Sequence, residues 1–316
     1  MKVVRVIDGQ PTLTDAPTPS DPNQFRVKVA AVGICGSDLH MIDNKMAEGR
    51  VLGHEISGHL DDGTPVAVEP LRSCGHCGNC KEGERHRCDA GADIIGVFSD
   101  GGMGEYLLAP PEALVRLPSG IKVTDASLVE NLAVAVHAVN RARMQAGERV
   151  GIIGAGPIGL ATAAALRRAG FDADISARHD HQATAAQSIG ANVEVSDGYD
   201  VVFDAVGSTS SLLESVRRCR YGGRVCMVGS FWDPVELDMT ILMAEVTLVP
   251  AMMYSQTAGE REISSAAELL SEMPQLGDAL ITHRYPLDGA TEAFATARDR
   301  SSGAIKVVFE PHGAAF

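Results

Sequence analysis

The sequence predicts an α/β protein in two parts, a mainly β domain followed by a doubly wound parallel sheet, and three observations carry that reading. From residue 1 to about residue 120 the chain runs in short pieces punctuated by Gly and Pro, with β-rich stretches at 25–32, 64–68 and 105–109. From Arg149 onward strand and helix signals alternate, the pattern of a parallel sheet covered on both faces. A length of 316 residues with 45% hydrophobic content suffices for two cores.

The elements follow in order. Near Asp125 the texture changes to A-S-L-V-E-N-L-A-V-A-V-H-A-V-N-R-A, rich in Ala and Leu at helical spacing, with Thr124 or Asp125 placed to cap a helix that links the domains. Strands are then expected at 149–153, 173–177, 201–203 and 224–228, with helices reaching Ala169 and Ile189 and a third near 211–219. The tail 281–310 ends in A-I-K-V-V-F-E, a strand too late for the simplest form of that sheet, so it is expected to return to the first domain. The bounds expected on this basis are 1–122 completed by 281–316 for the first domain, and 123–280 for the second.

Charge narrows the partners. A formal charge of −14 and a pI near 5.1 offer no favourable long-range field to nucleic acid or to an anionic membrane surface. No apolar run approaches the ~18 residues needed to cross a bilayer. A small-molecule partner is the default expectation. The opening M-K-V-V-R-V-I-D-G-Q turns charged after two apolar residues, unlike a secretory leader, so a reducing cytoplasm is expected.

Four cysteines, Cys74, Cys77, Cys80 and Cys88, form the pattern C-x2-C-x2-C-x7-C within one loop. Thiolates this close in sequence can complete a tetrahedral zinc shell, with Zn–S distances of about 2.3 Å, leaving no place for water. Such a site is structural. Arg72, Lys81, Arg85 and Arg87 lie in or beside the loop and are expected to offset the negative charge of a four-thiolate shell. His76 and His86 read as loop residues, and Cys219 and Cys226 as buried, inert thiols.

The run R-V-G-I-I-G-A-G-P-I-G-L places G-x-G-x-x-G at Gly154, Gly156 and Gly159, after a strand and before a helix. The glycines permit a tight turn, a close approach of pyrophosphate and close helix–strand packing, and the helix N-terminus supplies free N–H groups. Pro157 and Ile158 complete this turn, and the ends of two later strands, D-A-V-G at 204–207 and V-G-S at 228–230, with Ala205, Val206, Val228 and Gly229, are expected to line the nicotinamide half of the groove. Counting about 20 residues from Gly154 reaches Asp174, the place of a ribose-binding acid in an NAD site. We place the strand tip instead at Ala177, followed by Arg178 and His179, with Asp180 capping the next helix. A small residue with a guanidinium beside it accommodates a 2′-phosphate, so NADP(H) is expected in preference to NAD(H).

Ahead of the cysteine loop stand G-I-C-G-S-D-L-H at 33–40 and G-H-E at 53–55. With the four-cysteine lobe, D-G-G-M-G-E-Y at 100–106, L-V-E-N-L at 128–132 and the glycine turn, the chain resembles the zinc-dependent medium-chain alcohol and polyol dehydrogenases through almost its whole length. That resemblance implies a GroES-like catalytic domain, a Rossmann nucleotide-binding domain and two zinc ions per chain. It implies Cys35 and His54 as direct ligands of a catalytic zinc, with Glu55 and Glu130 where relatives place a further ligand or a carboxylate that holds water. One thiolate and one carboxylate make the Zn²⁺ site formally neutral, so both glutamates are not expected to bind at once. Ser37 and His40 match the family's proton relay, by way of the cofactor's ribose hydroxyls. His59 and His137 read as structural. Asn131, where many relatives carry Pro, and the short segment between His40 and Gly53 depart from the family pattern, and both loosen any transfer of substrate identity.

These features point to a reversible oxidoreductase of an alcohol and the matching aldehyde or ketone, assembled as a homodimer or homotetramer as relatives are. The competing reading is a non-catalytic NADPH-binding zinc protein that keeps the fold. Intact Cys35, His54, Glu55 and Glu130 argue against it.

Overall fold

The computed structural model describes residues 1–313 and divides them into two compact units, Met1–Glu130 together with the segment from Ser255 onward, and Asn131–Tyr254. The expected bounds were 122 and 281, and the structure sets them at 130 and 255. The stretch from Ser255 joins the first unit because it is tied to the cysteine loop and its surroundings. The Ser255 hydroxyl donates to the Gly83 carbonyl, and Arg261 pairs with the buried Glu69.

In the first unit a seven-stranded sheet runs in the order Ile281–Tyr285, Lys306–Phe309, Phe25–Gly33, Glu55–Leu60, Pro65–Val68, Leu114–Arg116, with Tyr106–Ala109 also paired to Phe25–Gly33. The late strand Lys306–Phe309 therefore does return to this domain, against Phe25–Gly33. In F-R-V-K-V-A-A-V-G, Val27 and Val29 point inward at period two, and then every residue from Val29 to Gly33 is buried. The strand starts half-exposed and ends covered on both faces.

The second unit is a five-stranded, all-parallel sheet in the order Ala173–Ser176, Val150–Ile153, Tyr199–Asp204, Cys219–Met227, Thr247–Pro250. Beyond Ala173–Ser176 the chain adds only an isolated parallel bridge between Asp174 and Asn192. Helix Thr209–Arg218 begins at a Ser208 cap whose hydroxyl accepts from the Ser211 N–H at 3.1 Å. It turns Leu212 and Val216 onto Ile153, Val202 and Val225. This is the Rossmann-type architecture expected. Cys219 and Cys226 are buried here, and burial pushes their thiols up to about 11 and about 12, which leaves them unreactive.

The helix expected to start at a Thr124 or Asp125 cap starts later. Val123–Asp125 forms a 3-10 turn and the α-helix spans Leu128–Ala142. Asp125 is drawn off by Arg284, whose Nη2 donates to its carboxylate at 2.5 Å, an interaction that only tertiary packing supplies. Among the described residues no helix is long and apolar enough to cross a membrane.

Candidate metal and dinucleotide sites

Strand Phe25–Gly33 delivers the chain into helix Gly36–Asp43, and Cys35 stands at the junction as N-cap residue with extended backbone. Asp38, at the third helical position, reaches back to accept from the Cys35 N–H at 2.8 Å. That bond satisfies an otherwise orphaned donor and fixes the Cys35 backbone. His54 and Glu55 arrive at the start of the neighbouring strand. The ligand atoms of Cys35, His54 and Glu55 all lie within 4.8 Å of one another.

Asp38 is fully buried and faces His54, with Oδ1 lying 3.7 Å from Nδ1. Neither atom has a hydrogen-bond partner. Burial opposes a charge on His54, yet Asp38 and Cys35 together hold its pKa well above the ordinary imidazole value. Desolvation in turn raises the Asp38 carboxyl. A histidine facing a buried carboxylate, next to a thiol and a second carboxylate, is a donor set suited to zinc, so the residues fit the ion. Asp38 was not singled out from the sequence, although its place three residues after Cys35, as in a capping box, is a local signal that could have found it.

Lys306 was also missed, and no local signal marks it. Its Nζ donates to Glu55 Oε1 at 2.7 Å, to Glu55 Oε2 at 2.8 Å and to the Ile34 carbonyl at 3.3 Å, with both side chains buried. The register explains the contact. Gly33 is opposite Glu55 on one side and opposite Val308 on the other, and Lys306 shares the Val308 face of its strand. The Glu55 side chain crosses the intervening strand over Gly33, where a Cβ would lie 1.8 Å from Glu55 Oε2.

Glu130 is not part of the set within 4.8 Å. It is buried nearby, and desolvation pushes its carboxyl up to about 7, with His54 and Lys306 pulling against the shift and Glu55 reinforcing it. Ser37 and His40 sit one turn apart on helix Gly36–Asp43, Ser37 half-buried and His40 exposed.

The sulfurs of Cys74, Cys77, Cys80 and Cys88 likewise all lie within 4.8 Å of one another, brought together by the short helix Gly78–Lys81 and the turn Arg85–Arg87. Three of the basic residues expected to offset the thiolate charge also have carboxylate partners. Arg72 pairs with Asp93, Arg85 with Glu69 and Arg87 with Glu84, because nearby carboxylates compete for each guanidinium. Backbone N–H groups donate to the sulfurs. Cys74 donates to Cys88 Sγ at 3.4 Å, Cys77 to Cys74 Sγ at 3.4 Å and Cys80 to Cys77 Sγ at 3.5 Å. The His76 ring bonds the Cys74 carbonyl at 2.8 Å.

In the second unit the residues expected to bind a dinucleotide gather at one edge. Parallel registers set Ile153 beside both Ser176 and Asp204, and Asp204 beside Met227, so the segments after all four strands emerge together. These are Gly154–Gly159, Ala177–His179, Ala205–Val206 and Val228–Gly229, at the carboxyl edge where open α/β sheets bind ligands. Gly154 has φ +97, and a Cβ on Gly159 would lie 1.8 Å from the Gly154 carbonyl oxygen. Gly156 is the N-cap residue of helix Pro157–Arg168, with Pro157 at its first position and Ile158 after it, and open space lies where a Gly156 Cβ would be. Asp204, buried at the head of D-A-V-G, ties the edge together. Its carboxylate accepts from the Val206 and Gly207 N–H groups, and its carbonyl from those of Val228 and Gly229.

Asp174 lies within its strand and accepts from Tyr199 Oη at 2.7 Å and from Asn192 Nδ2 at 2.9 Å, so it is engaged away from the tip. The tip is Ala177, followed by the exposed Arg178. Asp180 is the first helical residue, and His179 rather than Asp180 is the cap. The backbone turns one residue earlier, where the Gln182 side chain accepts from the Arg178 N–H. His179 and His181 stack, with ring centroids 5.4 Å apart.

Residues 21–119 match the alcohol dehydrogenase GroES-like domain, and residues 119–310 the glucose dehydrogenase C-terminus. L-galactonate-5-dehydrogenase of Escherichia coli (strain K12) is 34% identical over 310 residues, covering 89% of each chain. Galactitol-1-phosphate dehydrogenase from Escherichia coli superposes with a TM-score of 0.86 at 27% identity, over 98% of this chain and 100% of that one. A putative zinc-binding dehydrogenase from Sinorhizobium meliloti 1021, solved bound to NADP, gives a TM-score of 0.86 at 27% identity, over 98% and 99% of the two chains.

Proposed function

This chain belongs to the zinc-type medium-chain dehydrogenase family, and from that membership we propose that it oxidises a secondary alcohol of a polyol or sugar acid, reversibly, with NADP as hydride acceptor. The observation that carries the reading is the convergence of Cys35, His54 and Glu55 to within 4.8 Å, beside a buried Asp38 that faces the histidine. Zinc would be held by Cys35, His54 and a carboxylate from Glu55 or Glu130, and a second zinc by Cys74, Cys77, Cys80 and Cys88. When bound, the first ion supplies Lewis acidity that makes an alcohol proton labile, and the nicotinamide supplies the hydride acceptor.

The chain's own residues do the rest. Asp38 orients His54 so that its other nitrogen is a ligand. Ser37 takes the alcohol proton and His40, exposed one turn on, delivers it to solvent. The products are a ketone, NADPH and that proton. The turn Gly154–Gly159 holds the pyrophosphate on the N-terminus of helix Pro157–Arg168. Ala177 leaves room for a 2′-phosphate and Arg178 meets its charge, while Asp174 is already taken by Tyr199 and Asn192. The names of the relatives, L-galactonate-5-dehydrogenase and galactitol-1-phosphate dehydrogenase, support a polyhydroxylated substrate. A reducing cytoplasmic setting agrees with seven free cysteines, and a homodimer or homotetramer is the assembly that light scattering would test.

The deciding experiment measures reduced-nicotinamide absorbance for the zinc-loaded protein with polyols, sugar acids and simple alcohols, against NADP and NAD. Turnover with a polyol or sugar acid and a kcat/KM favouring NADP are expected, together with loss of turnover but retained nucleotide binding in Cys35→Ala. Silence across the whole panel, or an active Cys35→Ala, would overturn the reading.

A further inference from the structure

We propose that Asp204 is a positioning residue of the cofactor groove: it fixes two strand ends so that Val206 stands as a rigid apolar wall against which the nicotinamide half of the dinucleotide seats. The inference rests on the dinucleotide reading above and deepens it.

Three observations carry it. Asp204 is fully buried at the end of strand Tyr199–Asp204 and ties down three segments at once. Its Oδ1 accepts from the N–H groups of Val206 at 2.9 Å and Gly207 at 3.1 Å, and its Oδ2 from the Ser211 hydroxyl at 3.0 Å. Its carbonyl accepts from the N–H groups of Val228 at 2.9 Å and Gly229 at 2.8 Å. The two strand ends also touch through backbone alone. A Cβ on Gly229 would lie 2.4 Å from the Gly207 nitrogen, and one on Gly207, where φ is +80, 2.6 Å from the Ser230 carbonyl oxygen. Finally, Val206 is 49% exposed and overhangs the glycine turn, since a Cβ on Gly154 would lie 2.5 Å from its Cγ2.

The sheet order gives this arrangement a direction. In such a fold the adenosine ribose is met at the end of the strand that follows the glycine turn, here Ala173–Ser176. The nicotinamide half therefore extends to the other side, over the ends of Tyr199–Asp204 and Cys219–Met227. Val206 stands on that side. A half-exposed aliphatic side chain on a fixed backbone offers a flat ring apolar contact, with little left to order at the moment of binding. Burying a carboxylate is costly, and each bond the Asp204 carboxylate makes goes to a neutral N–H or O–H group. Those bonds hold backbone in place. Asp204 has no exposed surface of its own, so it acts through Val206.

The test uses calorimetry on the full chain to measure dissociation constants for NADPH and NADH, and for the adenine halves alone, adenosine 2′,5′-bisphosphate and ADP. Val206→Ala keeps the backbone bonds and should weaken NADPH about tenfold, with adenosine 2′,5′-bisphosphate changed by less than about twofold. Asp204→Ala should weaken NADPH about thirtyfold and again spare the adenine half. Asp204→Asn, whose amide oxygen still accepts from the Val206 and Gly207 N–H groups, should restore NADPH binding to within about threefold of wild type. Gly229→Ala should wedge the strand ends apart and behave like Asp204→Ala. A merely structural aspartate would lower the urea midpoint and weaken both ligands alike. Equal losses for NADPH and its adenine half in folded Asp204→Ala overturn the proposal. So does an unchanged NADPH affinity in Val206→Ala, which reads the wall even where Asp204→Ala does not fold. If NADH binds more tightly than NADPH, the 2′-phosphate assignment fails, and the same comparison of NADH with ADP decides the proposal. A wild-type chain that binds neither dinucleotide overturns it together with the dinucleotide reading.

Discussion

Replacing Gly33 with Ala is a small change with a large expected cost. A Cβ at that position would sit 1.8 Å from Glu55 Oε2, and ordinary contact begins at 3.4 Å, so the carboxylate must retreat by about 1.6 Å. Its bonds to Lys306, at 2.7 and 2.8 Å, cannot both survive such a movement. Backbone strain adds nothing, since the Gly33 φ is ordinary. Breaking a buried pair costs about 3–5 kcal/mol, a substantial share of the 5–15 kcal/mol typical of a folded domain. Urea unfolding of metal-free protein should show that loss for Gly33→Ala. In a Glu55→Ala background the obstruction is gone apart from the Glu55 Cβ at 3.1 Å, which a shift of a few tenths of an ångström relieves, so the same substitution should then cost about 1 kcal/mol or less. A cycle in which the two substitutions add independently would refute the reasoning, and so would a wild-type cost under about 1 kcal/mol.

The remaining predictions concern the cofactor edge, the cysteine loop and pH. Ala177→Asp places a carboxylate against a 2′-phosphate and should lower the NADP-to-NAD ratio of kcat/KM by about thirtyfold, roughly 2 kcal/mol; an unchanged ratio would show that this tip does not contact the ribose. Removing metal with a chelator should abolish hydrogen-exchange protection across residues 73–91 while the parallel sheet keeps its own, and protection that survives in the loop would mean that the sulfurs order it without an ion. For Glu130, burial raises the carboxyl from 4.5 to about 7 in the folded chain, so the folded state binds the proton more tightly than the unfolded state. Its stabilising contribution to metal-free protein is therefore complete below about pH 4.5 and lost as pH rises through about 7, worth about 3 kcal/mol. Glu130→Gln should flatten that part of the stability profile between pH 4.5 and 8, and parallel profiles would disprove the shift.

What could be read from the chain alone was what short segments determine. C-x2-C-x2-C-x7-C brings four sulfurs together because one loop carries them all, and G-x-G-x-x-G makes its turn because the turn's geometry is local. Strand–helix alternation was enough for the parallel sheet, although helix starts slipped where a distant partner intervened, as Arg284 did at Asp125. Side-chain pairings were hidden for a similar reason. Arg72, Arg85 and Arg87 flank the sulfurs in sequence, but Asp93, Glu69 and Glu84 occupy their guanidinium groups in space. The inner organisation of the Cys35, His54 and Glu55 cluster depended on tertiary structure altogether. Lys306 meets Glu55 only because the strands Lys306–Phe309, Phe25–Gly33 and Glu55–Leu60 lie side by side with a glycine at the crossing. Local spacing determines which groups are neighbours along the backbone, whereas an ion pair in a dry interior is decided by which strands are laid together and by how much water that contact excludes.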